Sequence, residues 1–182
     1  MKQSTLAKRS INTLKRFTDK NSPKTELRYG YVRSDGNTVA VDYDRMLVLN
    51  IPELSEYKDH FVDLNKVSGK NCTEVELAEG VSIDIFKGDE LSFPNTEKLE
   101  LSVANTQVIP FQSSDFNDCV FDIAEQGYRF SIANFEQLFI GNLPHIENLY
   151  KSKAENFYNL PFQISGQING YDFVSVFLPI QR

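Results

Sequence analysis

Leu6-Ala7-Lys8-Arg9-Ser10-Ile11-Asn12-Thr13-Leu14-Lys15-Arg16-Phe17 and, after a break at Asn21-Ser22-Pro23, Leu27-Arg28-Tyr29-Gly30-Tyr31-Val32-Arg33-Ser34-Asp35-Gly36-Asn37-Thr38-Val39-Ala40-Val41 decide the fold. In the first run Leu6, Ala7, Ile11, Leu14 and Phe17 fall within one stripe roughly 140° wide at the helical repeat. Lys8, Arg9, Asn12, Lys15, Arg16 and Lys20 take the opposite side, so this is an amphipathic helix with a cationic face, which Pro23 stops. In the second run the period drops to two: Leu27, Tyr29, Tyr31 and Arg33 alternate with their neighbours. Ser34-Asp35-Gly36-Asn37 is a tight turn, and Thr38 to Asn50 returns as one long β-rich strand, completing a hairpin.

Working outward, β signals dominate. Phe61 to Leu64 reads as a short strand, with one helical turn from Asn65 to Lys70. Thr73–Ala78 and Val81–Lys87 pair across Glu79-Gly80. Leu99–Val103 and Gln107–Phe111 read as further strands, and Gln112 to Asp118 as a linker. Cys119–Ala124 and Tyr128–Ala133 are β-like. A helix runs from Asn134, its cap, to Gly141, and His145 to Asn159 is amphipathic without a decided period. Phe162–Ile168 and Tyr171–Ile180 close the chain around Asn169-Gly170, the strongest two-residue hairpin signal in the sequence. The expectation is an α+β fold of antiparallel sheets with a few helices packed on one face.

Charge is unevenly spread. The 182 residues carry a formal charge of −6. Residues 1–33 hold nine Lys or Arg against Asp19 and Glu26, a net +7, which leaves −13 for the other 149. That excludes a uniformly basic nucleic-acid coat but allows one basic face. The cationic helix has three readings: a solvated surface, a targeting presequence, or a contact to the phosphate backbone of DNA, where rows of Lys and Arg bind without reading bases. No apolar run approaches the ~20 residues of a membrane span, so no membrane role and a cytoplasmic location are expected.

Catalytic signals are thin. Cys72 and Cys119 stand 47 positions apart without a CxxC pattern, against a disulfide scaffold or thiolate metal site. His60 and His145 lack partners at zinc spacing. Asp42 and Asp44, two apart on a strand, would point the same way and could hold Mg²⁺ for a nuclease, but no third acid and lysine accompany them. With no phosphate-loop, dinucleotide or nucleophile-elbow motif, we expect no enzyme, no cofactor and no metal.

Three strings carry a resemblance to a known family. Val39-Ala40-Val41-Asp42-Tyr43-Asp44-Arg45-Met46-Leu47, Phe93-Pro94-Asn95-Thr96-Glu97-Lys98-Leu99 and the closing Ser175-Val176-Phe177-Leu178-Pro179-Ile180-Gln181-Arg182 resemble, in this order, a strand motif, an inter-domain string and the final strand of DNA polymerase sliding clamps of the bacterial beta type. The resemblance implies a DNA-clamp-like fold of helix-plus-sheet modules at 1–57, 58–98 and 117–182. Residues 1–98 would form one clamp-like domain, 99–116 connecting strands and linker, and 117–182 a half-domain. It further implies a divergent, shortened processivity factor from a phage or mobile element, tethering a DNA polymerase or another replication protein to duplex DNA without sequence specificity. Lys8, Arg9, Lys15, Arg16 and Lys20 would face the DNA. A clamp-binding peptide would sit in a groove of Asp42, Tyr43, Arg45, Met46, Leu47, Leu178, Pro179 and Ile180. Sheet edges would serve homo-oligomerisation. Asn134–Pro144 has no Lys or Arg, so little charge beyond the first helix, at Lys66, Lys70, Lys151 and Lys153, is offered to DNA. The alternative is a clamp-fold protein-interaction module that no longer binds DNA.

Overall fold

The computed structural model describes residues 2–69 and 71–180. Among them, helix α1 (Gln3–Arg16) leads into strands β1 (Gly30–Val32), β2 (Thr38–Val41), β3 (Arg45–Leu49), β4 (Phe61–Val62), β5 (Thr73–Ala78) and β6 (Val81–Phe86). The second half holds β7 (Thr106–Ser113), helices α2 (Phe116–Glu125) and α3 (Ile132–Glu136), then β8 (His145–Ser152), β9 (Phe162–Ile168) and β10 (Tyr171–Phe177). All ten strands join one antiparallel sheet, ordered β5-β6-β4-β1-β2-β3-β10-β9-β8-β7. The α+β expectation, antiparallel sheet with helices on one face, is what the structure shows. The segments 1–98 and 117–182 meet within this sheet at the β3–β10 pair, where Phe173, Ser175 and Phe177 stand opposite Leu49, Leu47 and Arg45. The stretch 99–116 supplies β7, one of the two edges.

Strand alternation sorts the side chains onto two faces. On the helix face lies the main core, with Val32, Ala40, Leu47, Leu49, Val62, Ile164 and Phe173 under Ala7 and Leu14 of α1. Phe17, Phe135, Phe162 and Phe177 are fully buried there. Phe177 is the hub: its ring centroid lies 5.3 Å from that of Phe162, 5.4 Å from Phe135 and 6.3 Å from Phe17. The opposite face carries Val39, Val41, Met46, Val48 and Val176, and next to them Tyr29, Phe61 and Phe86. Phe93, with Leu91, packs onto this second face. The connection from β6 to β7, residues 87–105, is therefore a strap running behind the sheet.

Several local expectations give way. Thr38 to Asn50 is not one strand: β2 and β3 form a hairpin, because the Asp42 carboxylate accepts from the backbone N–H of Asp44 and Arg45 and makes a turn without glycine. Asp42 and Asp44 thus do not share a strand face. Cys119–Ala124 is helical, not β, since Asp115 caps α2 by accepting from the N–H of Asn117 and Asp118. The helix expected from Asn134 starts earlier, on Ser131, and is short. Tyr128–Ala133 is not a strand: Phe130 bridges to Pro179, Ser131 caps α3, and Ile132 and Ala133 are its first residues. Leu99–Val103 belongs to the strap, while His145–Ser152 is strand β8. The helical turn expected from Asn65 is a loop folded on the buried Asp63 carboxylate, which accepts from the N–H of Val67 and Ser68; Lys70 lies outside the described residues. The Asn169-Gly170 hairpin is present as read, both residues at positive φ.

Gly166 marks where β8 slips in register against β9, opposite Ile146. A Cβ there would stand 2.0 Å from the His145 carbonyl oxygen. Gly166→Ala is expected to cost about 1–3 kcal/mol of stability, read as a lower urea midpoint at unchanged m-value.

Candidate functional site

Met46 and Leu47 are neighbours on β3 and so point to opposite faces. Leu47 is buried in the helix-side core and takes no part in a groove, which corrects that expectation. Met46 lies on the other face, where the strap leaves a gap. Val41, Met46 and Val176 floor a cavity of ≈ 340 Å³, bounded on one side by Asp42, Tyr43 and Arg45, and on the other by Lys98, Leu99 and Leu101 of the strap. Leu178 and Pro161 lie at the junction with a second cavity of ≈ 620 Å³, where Pro179 and Ile180 join Asp44. The structure thus brings Asp42, Tyr43, Arg45, Met46 and Leu178 together in one recess and sets Pro179 and Ile180 beside it; Gln181 and Arg182 lie outside the described residues. Leu178 and Ile180 are exposed. Sequence reasoning missed Leu99 and Leu101, which reach the recess only through the long-range path of the strap, and Pro161, which stands directly before β9.

The rim is held by specific bonds. The Arg45 guanidinium donates to Asp42 at 2.8 Å, to the Arg16 carbonyl at 2.6 Å and to the Asn134 carbonyl at 3.4 Å, and lies 5.0 Å from the Phe17 ring centroid. One side chain thereby ties the groove turn to the end of α1 and the start of α3. Tyr43, half exposed, meets the Ser22 hydroxyl at 3.0 Å and has the Lys24 ammonium 5.8 Å over its ring. It stands at the rim without filling the recess. On the strap side, buried Arg33 pairs with Asp35 and Glu100, Ser34 donates to Glu97, and the Leu101 N–H donates to the Gln163 side chain. Phe93 stacks on Tyr31 at 4.7 Å. The string at Phe93–Leu99 is therefore anchored at its start, and its last two residues, Lys98 and Leu99, form a wall of the groove.

Of the cations expected to meet DNA, Lys8 and Lys20 are exposed and Arg9 and Lys15 half-buried. Arg16 differs: its guanidinium donates to the Gln137 carbonyl, and burial lowers its pKa. Lys151 lies 4.0 Å from the Phe157 ring centroid and Lys153 donates to the Ala104 carbonyl. The partner helix α2 carries Asp118, Asp122 and Glu125 with Asp115 at its cap, and no cation. The helix layer is cationic at α1 and anionic at α2.

Chemistry elsewhere is sparse. Among the described residues no three His, Cys, Asp or Glu side chains gather as a metal site, and the Asp42 carboxylate is occupied by Arg45 and two backbone N–H groups. Burial pushes the Cys119 thiol up to about 11, making it a poor nucleophile. His145 meets the Ser114 hydroxyl at 3.2 Å. No helix among the described residues is long and apolar enough to cross a membrane.

No family model and no curated protein matches the sequence. Solved structures do. Helicobacter pylori beta clamp in complex with diflunisal superposes with a TM-score of 0.53 at 10% identity, over 94% of this chain and 64% of the clamp. The same clamp with 3,4-difluorobenzamide gives a TM-score of 0.54 at 9% identity, over 96% and 64%. The fold is sliding-clamp-like. The chain spans 64% of the length of those clamps, and at this identity the likeness is one of architecture.

In this clamp-like chain the strap anchor titrates. Burial alone would raise the Asp35 carboxyl, but hydrogen bonds from the Arg33 guanidinium and from Asn37 outweigh it and hold the pKa below its ordinary value. The ionised form is thus favoured by folding. Its stabilisation is fully present above the unfolded carboxylate value of about 3.9 and is lost as pH falls through the lower folded value. The stability gap between the wild type and Asp35→Asn should be constant near neutrality and narrow below that point, as measured by urea unfolding at a series of pH values; a gap of the same size throughout would exclude the ion pair.

Proposed function

We propose that this chain is a non-catalytic, divergent sliding clamp that tethers a DNA polymerase or another replication protein to duplex DNA. The observation that carries the reading is the groove. A recess floored by Val41, Met46 and Val176 and walled by an anchored strap is suited to a short apolar peptide, whose flanking polar groups would meet Lys98. Lys8, Arg9, Lys15 and Lys20 would hold phosphates without reading sequence, and Arg16 would place the end of that helix through its bond to Gln137. Edges β5 and β7 carry unpaired backbone groups, through which a homo-oligomer would close around the duplex.

A second reading is a clamp-fold module that captures a protein and leaves DNA alone. The anionic α2 favours it, since a helix bearing Asp118, Asp122 and Glu125 and no cation repels phosphate.

The two separate in one set of measurements. Under the first, labelled duplex binds regardless of sequence, with log affinity falling against log salt at a slope of about −3 to −4 for four phosphate contacts. Changing Lys8, Arg9, Lys15 and Lys20 together to Glu abolishes that binding, while Met46→Glu leaves it intact and removes capture of a replication protein. Duplex binding absent at low salt, with capture still lost on Met46→Glu, selects the second reading. Capture indifferent to Met46→Glu overturns both. Light scattering over a range of protein concentrations should show a stable dimer or trimer; a strict monomer removes encirclement from the proposal.

A further inference from the structure

Behind the sheet, on the face opposite α1 and further along the strap from the groove, a cavity of ≈ 520 Å³ opens between the β1–β4 end and the start of the strap. One wall is aromatic. Tyr31 and Phe93 stack with an interplanar angle of 9°, and Phe61 meets both edge-on at 5.1 and 6.0 Å. Phe61 is buried, but Tyr31 and Phe93 are only half-buried and keep ring surface open to the cavity. The close fit of the strap on this wall requires glycine at position 88, where a Cβ would stand 2.5 Å from the Phe61 ring.

The remaining lining is polar and carries cations. Lys58, His60 and Lys87 all border the cavity, and neither lysine has an ion-pair partner among the described residues. The His60 Nδ1 is engaged with the Lys58 carbonyl at 2.8 Å, which leaves Nε2 as the free ring nitrogen. Asp59 accepts from the Tyr31 hydroxyl at 3.0 Å and Asp89 also borders the cavity, so two carboxylates share it with the two ammonium groups and the imidazole. The Ser92 hydroxyl adds a neutral donor.

An open aromatic wall beside unpaired ammonium groups is the combination that receives a planar ring and an anion together. We infer that this cavity is a second binding site, taking a nucleotide unit with its base against Tyr31 and Phe93 and its phosphate toward Lys58, Lys87 and His60. The ligand can come from a free nucleotide or from an unpaired nucleotide of a single strand. The residues lining this cavity differ from those lining the groove recess and from α1, although Phe93 also packs on the apolar cluster beneath the groove, and the inference does not rest on the clamp reading.

Calorimetric titrations of the full chain with deoxyadenosine monophosphate and with a short oligothymidylate test it, inorganic phosphate serving as the ring-free control. At least one nucleotide probe should bind, and which one does identifies the source. Lys58→Glu with Lys87→Glu should weaken that binding about tenfold or more, the scale of losing a charge-assisted hydrogen bond; both side chains are exposed, so the core is untouched. Phe93→Leu should weaken the nucleotide probe and leave the ring-free control unchanged, with the melting temperature confirming an intact fold. The inference fails if neither probe binds, if the double charge reversal leaves affinity unchanged, or if inorganic phosphate binds as tightly as the nucleotide. Changing Lys8 and Lys15 to Glu should not affect this site, whatever it does to duplex binding.

Discussion

The two halves of this molecule are one object because β3 pairs with β10. Five residue pairs, Leu49–Phe173 through Arg45–Phe177, close that seam, and the buried Ser175 hydroxyl adds a 2.7 Å bond to the Met46 carbonyl. Under the seam Phe177 gathers Phe17, Phe135 and Phe162. Each fully buried ring contributes about 1.5–3 kcal/mol by transfer alone, and the edge-on contacts add to that. Without the seam the β1–β6 half would expose Leu47 and Leu49, and the β7–β10 half would expose Phe162 and Phe177. Neither would have a closed core.

Both candidate surfaces, α1 and the groove, are by-products of this one pairing. On the helix side Arg45, the last residue of the seam, reaches the carbonyls of Arg16 and Asn134 and so sets where α1 ends relative to α3. On the opposite side the same pairing places Met46 beside Val176, the floor of the groove. The strap then has only to cross that floor, and it is pinned at Arg33, Phe93 and Leu101. The groove is therefore a recess with its apolar floor supplied by the sheet and its wall by a connection that the sheet itself anchors.

What could be read in the sequence was local chemistry. The Asn169-Gly170 turn, the Thr73–Ala78 and Val81–Phe86 hairpin and the buried stripe Ala7, Leu14 and Phe17 follow from turn residues and period alone. The turn at Asp42 was hidden because it contains no glycine and rests on a carboxylate accepting from its own backbone. Helix α2 was read as strand because Cys119, Val120, Phe121 and Ile123 favour strands; the counter-signal was Asp115, a capping residue directly before the apolar residues Phe116, Cys119 and Ile123 at helical spacing. The groove was half legible: β3 and the residues after β10 announced themselves by likeness to clamp strings, but Leu99 and Leu101 arrive through contacts with Arg33 and Gln163, far away in the chain, and no local pattern encodes them.

Charge placement gives the molecule a direction. The chain is net −6 as a whole, while helix α1 carries Lys8, Arg9, Lys15 and Arg16 and no acidic residue. At the roughly 8 Å screening length of physiological salt, a phosphate near α1 experiences that helix and little of the acidic body behind the sheet. Under the clamp reading the acidic body would oppose approach from every other side and so would orient a duplex without any base contact. The anionic α2 limits how much of the helix layer the duplex can cover, so each copy would offer one cationic helix where a uniformly basic layer would offer a continuous track. Tight binding would then require several copies, each adding α1 to a shared surface. The pairing capacity of β5 and β7 is thus the feature on which any DNA-holding role of this fold depends most.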